Sequence, residues 1–524
     1  MKFKKYLCVL LIFASGSCSK DWLELDQPGN IDKPYFVNGS KAYEAVIAAY
    51  DVQAWRNNIV SMWAVGTIMS DDAVKGGESP GDQQGMYDCM NFNPTPSTDI
   101  SYNIWADMYR MIARSSFAID LMVEKDASDN YKLQMDETNR TRYIAECRFL
   151  RGYCYFRLVR NFGGVMIYTS SEDDGTTHGE DISANKPRAS VSEVYAQIEA
   201  DLLYAGANLP ATLPLTEQGR ATKGAADGIL AKAYLYQSKW TEAKAHCELV
   251  MNSGHYSLVA NYADIFTSSQ QWGSEVVYSL HMIEDLDGNW GEHEGSWLSI
   301  WFGDRDMGWG YGFKCPTEDF VSAFEPNDSR REASIVFDGE SIPGTFGGAP
   351  HDFIGGSWNP PTGYMSQKYL IPDSERPVTA DCNGNLDYIF LRYADVLLMH
   401  AEASMELNLN AEAESSLALV RQRAGLSAYP DASTIALFKE TELLGHDELR
   451  AVIYHERRVE LGLEHDRFYD LVRWGDATDV FSNFIDDGLT YGKTNFVPGC
   501  SELLPIPMGD INASNGLIQQ NPCY

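Results

Sequence analysis

Four of the chain's 12 tryptophans, Trp290, Trp297, Trp301 and Trp309, fall within 20 residues of one another. Gly288, Gly291, Gly295, Gly303, Gly308, Gly310 and Gly312 interleave with them, a density that regular helix or strand does not tolerate, so these rings are expected on loops. Flat rings present an apolar π face that suits the C–H face of a sugar. Asp285, Asp287, Asn289, Asp304, Arg305 and Asp306 stand beside them to hydrogen-bond hydroxyls. Trp290, Trp297 and Trp301 are therefore the expected stacking platform for an oligosaccharide. The competing use of the same rings is in the core or against a partner protein. A second candidate surface follows Trp63, where Ser70, Asp71 and Asp72 end an apolar stretch. Its structural alternative is a capping turn at the start of a loop.

Charge concentrates at Glu456, Arg457, Arg458, Glu460, Glu464, Asp466, Arg467, Asp470 and Arg473. Spacings of three and four set acids against arginines on a helix. Glu456 and Glu460 share a stripe with Leu449, Ile453 and Leu463, and carboxylates buried there need arginine partners. A glycosidase acid/base pair is the catalytic reading of these acids; a tethering ion-pair network is the structural one, and it is preferred. No HExxH, GxSxG, GxxxxGK[ST] or GxGxxG occurs, so no catalytic residue and no cofactor is assigned. The stretch from Asp285 to Glu292 spaces oxygen ligands as calcium prefers, without the EF-hand pattern, and Gly291–Gly295 sets His293 between two acids. Both are read as solvated loop, and no metal is assigned.

Helical periodicity dominates the elements that must carry these residues. Residues 39–56, 101–124, 138–161, 190–206, 221–237, 240–253, 393–407, 411–424 and 447–464 read as helices. Ser190 with Glu193 three residues on has the pattern of a capping box. Between about 255 and 392 the period fades into Gly, Pro, Asp and aromatics, as long loops with short strands do. Two helix pairs repeat one motif: Ala231, Ala233, Ala243 and Gly254, then Ala401, Ala403, Ala413 and Gly425. Small residues at a crossing let antiparallel helices approach closely, as in tetratricopeptide repeats of about 34 residues. These copies lie 170 residues apart, so no tandem array is expected.

Lys2, Lys4 and Lys5 precede an apolar run from Tyr6 to Ala14, then Ser15, Gly16, Ser17 and Cys18. That run is far shorter than the roughly 20 residues that span a bilayer. The pattern resembles a bacterial lipoprotein signal, with Cys18 as the lipid-bearing first mature residue and an ordinary secretory signal as the alternative. Removing residues 1–17 takes away three lysines and no acid, moving the net charge from −33 to −36. So acidic a surface repels phosphate backbones, which argues against nucleic acid as a partner. The cysteines are dispersed without a CxxC pair, so a zinc site is not expected. Cys147, Cys154 and Cys247 read as core thiols, and one or two disulfides are possible whose pairing the spacing does not fix.

Six segments occur in order along the chain: Glu146–Gly164 (ECRFLRGYCYFRLVRNFGG), Pro187–Tyr195 (PRASVSEVY), Gly219–Gly224 (GRATKG), Asp387–Ala403 (DYIFLRYADVLLMHAEA), Glu456–Gly475 (ERRVELGLEHDRFYDLVRWG), and Leu504–Met508 (LPIPM) with the terminal Asn521–Tyr524 (NPCY). Together they resemble the SusD/RagB family of outer-membrane lipoproteins of Bacteroidetes. The resemblance implies a mostly α-helical, SusD-like fold, with tetratricopeptide-like helix pairs as a scaffold and an irregular, loop-rich ligand face. It implies one compact domain after the 1–17 signal, with an N-terminal region 18–235 and a C-terminal region 236–524. It further implies a surface-exposed lipoprotein of the cell outer membrane that captures oligosaccharides for a SusC-like TonB-dependent transporter. Some members handle peptides instead. Ser70-Asp71-Asp72 and the stretch Trp309–Asp319 resemble family segments, the first near the ligand face. Trp309 and Tyr311 accordingly join Trp63 and Asp72 as secondary ligand candidates. A surface glycoside hydrolase and a protein-binding tetratricopeptide scaffold are the remaining alternatives.

Overall fold

The computed structural model describes residues 38–171, 186–284, 295–303, 305, 310–340, 361–377, 383–441, 446–484 and 492–524. Cys18, Trp290, Trp309 and the acidic segment 285–292 lie outside them, as does His293.

All nine helices expected from periodicity form, and five of them start at a side-chain cap. They are α1 (Gly39–Ala54), α3 (Asp99–Val123), α4 (Glu137–Phe162), α5 (Val191–Asn208), α6 (Lys223–Leu235), α7 (Trp240–Met251), α8 (Tyr393–Glu406), α9 (Asn410–Arg423) and α10 (Glu448–Leu461). A further helix, α2 (Arg56–Trp63), runs on into a π turn at Ala64–Ile68. The Ser190 hydroxyl accepts from the Glu193 backbone N–H, and the Glu193 carboxylate accepts from the Ser190 backbone N–H, completing the capping box of α5. Asp136, Thr222 and Asp447 cap α4, α6 and α10 with one bond each, the side chain accepting a backbone N–H three residues on.

The long helices pack in sequence, α3 on α1, α4 on α3, α5 on α4, α6 on α5 and α7 on α6. The two alanine-marked pairs, separated by 170 residues of chain, are neighbours in space, because α7 packs on α8 and α8 on α9. Ala231, Ala233, Ala243, Ala401, Ala403 and Ala413 are wholly buried at these crossings, which is why the pattern needed small residues there. The helical layer is therefore continuous although its repeats are not tandem.

Among the described residues, six short strands make three antiparallel pairs: β1 (Ala73–Gly76) with β3 (Phe313–Pro316), β2 (Val276–Leu280) with β6 (Tyr388–Arg392), and β4 (Ile335–Phe337) with β5 (Tyr364–Ser366). Five of the six fall in the stretch where helical period fades. β6 leads directly into α8, so Arg392 is fixed at a strand–helix junction. Cys147, Cys154 and Cys247 are buried thiols, as the helical pattern implied, and Cys500 pairs with Cys523. The C-terminal tail is tied to α4: the Asn521 side-chain amide donates to the Phe162 carbonyl (3.2 Å), and Arg188 donates to Asn521 Oδ1 (2.7 Å). Among the described residues, no helix is long and apolar enough to cross a membrane.

Candidate ligand-binding face

The β1–β3 pair anchors the loop-rich side of the molecule. Its register continues outward as Gly77 N–H donates to the Gly312 carbonyl (2.7 Å) and Gly312 N–H to the Gly303 carbonyl (2.8 Å). Gly76 and Gly312 both have positive φ, and a Cβ on Gly76 would lie 2.1 Å from the Gly312 carbonyl oxygen, so this backbone approach requires glycine. Ser296 and Gly384 form an isolated bridge, so the residues flanking 285–294 and 378–382 sit side by side. Arg305 reaches across to Asp82 (2.6 Å). Chain segments that carry the candidate rings thus start from adjoining points.

Where the candidate rings are described, they are mostly in the core. Trp297 immediately precedes a short helix, Leu298–Phe302, that contains Trp301, contrary to the expectation of loop rings. Trp301 is 4 % exposed, with Trp63, Tyr311 and Phe313 at centroid distances of 5.6, 5.6 and 4.8 Å. Trp297 is 7 % exposed and lies under the Arg56 guanidinium, 5.3 Å from its centroid. Trp63 is wholly buried, edge-on to Phe302 at 5.2 Å. The exposed three-ring platform is therefore corrected: Trp297 and Trp301, like Trp63, offer no open face for a sugar. The apolar run of Leu298, Ile300 and Phe302 around Trp301 is the sequence signal of this short buried helix. Tyr311 is half-buried, edge-on to Trp301 (interplanar 80°), and of the six candidate rings it is the described one on the surface.

Asp72 is also corrected, since it faces inward. It is wholly buried, and its Oδ1 accepts from Arg458 Nε at 2.8 Å, while Oδ2 has no hydrogen-bond partner among the described residues. Asp71 takes a bidentate pair of bonds from Arg467 (2.9 and 2.7 Å) and a third contact from Arg458 (3.0 Å). Burial pushes the Asp72 carboxyl up to about 6 against the pull of Arg458, with Asp71 adding to the rise. Burial would raise Asp71 too, but Arg458 and Arg467 outweigh it and hold that carboxyl well below the usual range. Lys493 Nζ donates to the carbonyls of Ile68 (2.7 Å) and Ser70, and burial brings its ammonium down to about 7.

These two aspartates are one edge of the ion-pair network expected at 456–473. Glu460 is wholly buried among Arg330 (2.9 Å), Arg392 and Arg423; Glu464 accepts from Arg392 (2.8 Å) and Lys368 (3.0 Å). Asp466 meets Arg160 (3.2 Å) and Lys232 (2.5 Å), which also meets Asp395 (2.7 Å). Burial opposes ionisation of Glu460, yet its three arginines hold it far below the carboxylate range. A general acid needs the reverse: an accessible carboxyl with a raised value. Glu456 and Glu460 are closed to solvent and locked to arginines, the arrangement of a tether.

Two family profiles match the chain in succession: "starch-binding associating with outer membrane" over residues 21–235, and "SusD family" over 274–524. SusD-like protein P25 of Formosa agariphila is 26 % identical over 98 % of this chain and 97 % of its own. A SusD-like protein of Bacteroides ovatus is 25 % identical over 90 % and 83 %. Among solved structures, a laminarin-binding SusD-like protein is 28 % identical, with TM-score 0.74, covering 93 % of this chain and 100 % of that one. Surface glycan-binding protein A of Bacteroides thetaiotaomicron, solved with laminarihexaose, superposes with TM-score 0.73 at 22 % identity over the same shares, a likeness of fold.

Proposed function

The chain belongs to the SusD/RagB family, and on that premise we propose that it is a glycan-binding lipoprotein of the cell surface, held by lipid on Cys18, that captures oligosaccharides for a SusC-like TonB-dependent transporter. The observation that carries this reading is the likeness to the laminarin-binding SusD-like protein over 93 % of the chain. A capture role without catalysis fits the acids of 456–473, which are spent on buried arginines. The ligand face is assigned to the surface where the segments flanking Gly303–Gly312, Ser296 and Gly384 meet. Tyr311 supplies one ring there, and Trp290 and Trp309 are the remaining candidates.

Laminarihexaose is the first ligand to test, by calorimetric titration of the lipid-free protein followed by chromatography of the sugar. The expected result is saturable heat and intact hexaose. Shortened sugar would show a hydrolase, and no binding across a panel of glycans would remove the carbohydrate reading. Cys18→Ala is expected to move the protein from the membrane fraction to the soluble one. A variant that stays with the membrane through a high-salt wash would overturn the anchor.

A further inference from the structure

A cleft of about 210 Å³ opens beside β2, walled by the 211–222 connection between α5 and α6 and by residues around His255 and Trp272. Trp272 gives it a half-buried indole on a left-handed backbone, φ +62°. A bulky residue holds that conformation only where its surroundings impose it, and such residues collect at functional sites. The surroundings here are explicit. Gly273 N–H donates to the Gln270 carbonyl (2.7 Å), and the Gln271 amide is bonded to the Asn385 carbonyl. His281 packs edge-on to the indole at 5.3 Å, its own Nδ1 3.1 Å from Asp387 Oδ1. Gly219 keeps the wall open: a Cβ there would lie 2.8 Å from His281 and 3.7 Å from the Trp272 ring.

The polar groups around this ring suit a neutral ligand. Among the described residues the lining holds no carboxylate, and its one permanent cation, Arg220, is committed to Glu146 (2.7 Å) and Glu217 (3.0 Å). The lining further offers the Gln218 amide, the Thr212 hydroxyl and the His255 imidazole, with the hydroxyls of Thr222, which caps α6 and meets Tyr256 (3.2 Å), and of Ser274, which donates to the Ser257 carbonyl (3.1 Å), each keeping a lone pair for a ligand. Ser279, in β2, is buried in the same lining. The volume is below the roughly 300 Å³ at which drug-sized ligands begin, so it admits a single ring.

We infer that this cleft is a second carbohydrate site, which takes one neutral pyranose ring against Trp272 and hydrogen-bonds it through Gln218 and the rim hydroxyls. The site goes beyond the proposed ligand face and does not depend on it, because its readout is the Trp272 signal and not total binding. The test uses ¹⁵N-indole spectra of the full lipid-free chain, in which the Trp272 resonance is the one lost in Trp272→Phe. If that variant fails to fold, the resonance displaced in Gln218→Ala serves instead. The probes are methyl β-D-glucopyranoside, methyl β-D-galactopyranoside and methyl α-D-mannopyranoside, with L-tyrosinamide as a peptide-like aromatic control.

The expected result is saturable movement of the Trp272 signal by at least one glycoside, with a midpoint near about 1 mM, the scale of a one-ring ligand. Gln218→Ala should weaken that midpoint about fivefold, the effect of one net hydrogen bond. Linear drift with all three glycosides, saturation by L-tyrosinamide alone, or an unchanged midpoint in Gln218→Ala would each overturn the assignment.

Discussion

At Trp301 an indole with 4 % exposure touches three aromatic rings, and its Nε1–H finds no acceptor among the described residues. Deleting it removes core volume rather than a binding surface. Trp301→Ala is expected to cost about 3–5 kcal/mol of stability, read by denaturant unfolding; a variant as stable as the parent would return this ring to the ligand face. Asp72 gives a prediction with a sign. Its folded value of about 6 lies above the ordinary 3.8, so the folded state keeps a proton that the unfolded chain releases in this window. The stabilisation is therefore full below about 4 and lost as pH rises through about 6. Asp72→Asn mimics the protonated form, so it should gain on the parent from pH 4 to 6 by on the order of 2 kcal/mol. A constant gap between the two unfolding curves across that range would mean that Asp72 is ionised throughout. Asp71, Glu460 and Asp466, whose values are lowered, act in the opposite sense at more acid pH, below the window in which the two proteins are compared.

At the scale of elements, the nine long helices were legible because their apolar period and caps are local properties. The helix Arg467–Trp474 was not, since its eight residues are too few to display a period and partners of Arg467 and Tyr469 lie hundreds of residues away. The same applies to the pairing of β1 with β3: no local pattern in Ala73–Gly76 points to Phe313–Pro316. For the site, ring chemistry was readable and ring burial was not. Exposure depends on which distant segments cover a short apolar helix such as Leu298–Phe302. The π turn at Ala64–Ile68 shows what such long-range contact demands. A Cβ on Gly66 would stand 1.8 Å from the His465 carbonyl oxygen, so the turn and the 456–473 segment touch backbone to backbone. Gly66→Ala should lower the melting temperature by several degrees, a loss of at least ~2 kcal/mol from overpacking. Gly509→Ala, in the helix Met508–Ala513 with no atom within 4 Å of the new Cβ, should be neutral or gain up to ~1 kcal/mol from helix propensity. Equal effects of the two would show that the close approach is not maintained.

For the whole molecule, charges from both ends of the chain converge on one late segment. Asp71 and Asp72 wait for Arg458 and Arg467; Arg160 and Lys232 wait for Asp466. Residues 18–235, expressed alone, would lack the counter-ions of four such charges and the segment that covers them, and a fold that buried them unpaired would be strongly destabilised. That fragment is expected to show no cooperative thermal transition by circular dichroism; a sharp one would mark it as an autonomous domain. The arrangement also imposes an order in time. A ribosome adding about 5–20 residues per second delivers the locking segment only after nearly nine-tenths of the polypeptide has been made. Until then the N-terminal half lacks the counter-ions that would seal it, and the growing chain stays pliable. A chain so built postpones commitment to its final shape until its end is at hand, which leaves an interval in which it can still be threaded, unfolded, through a membrane channel.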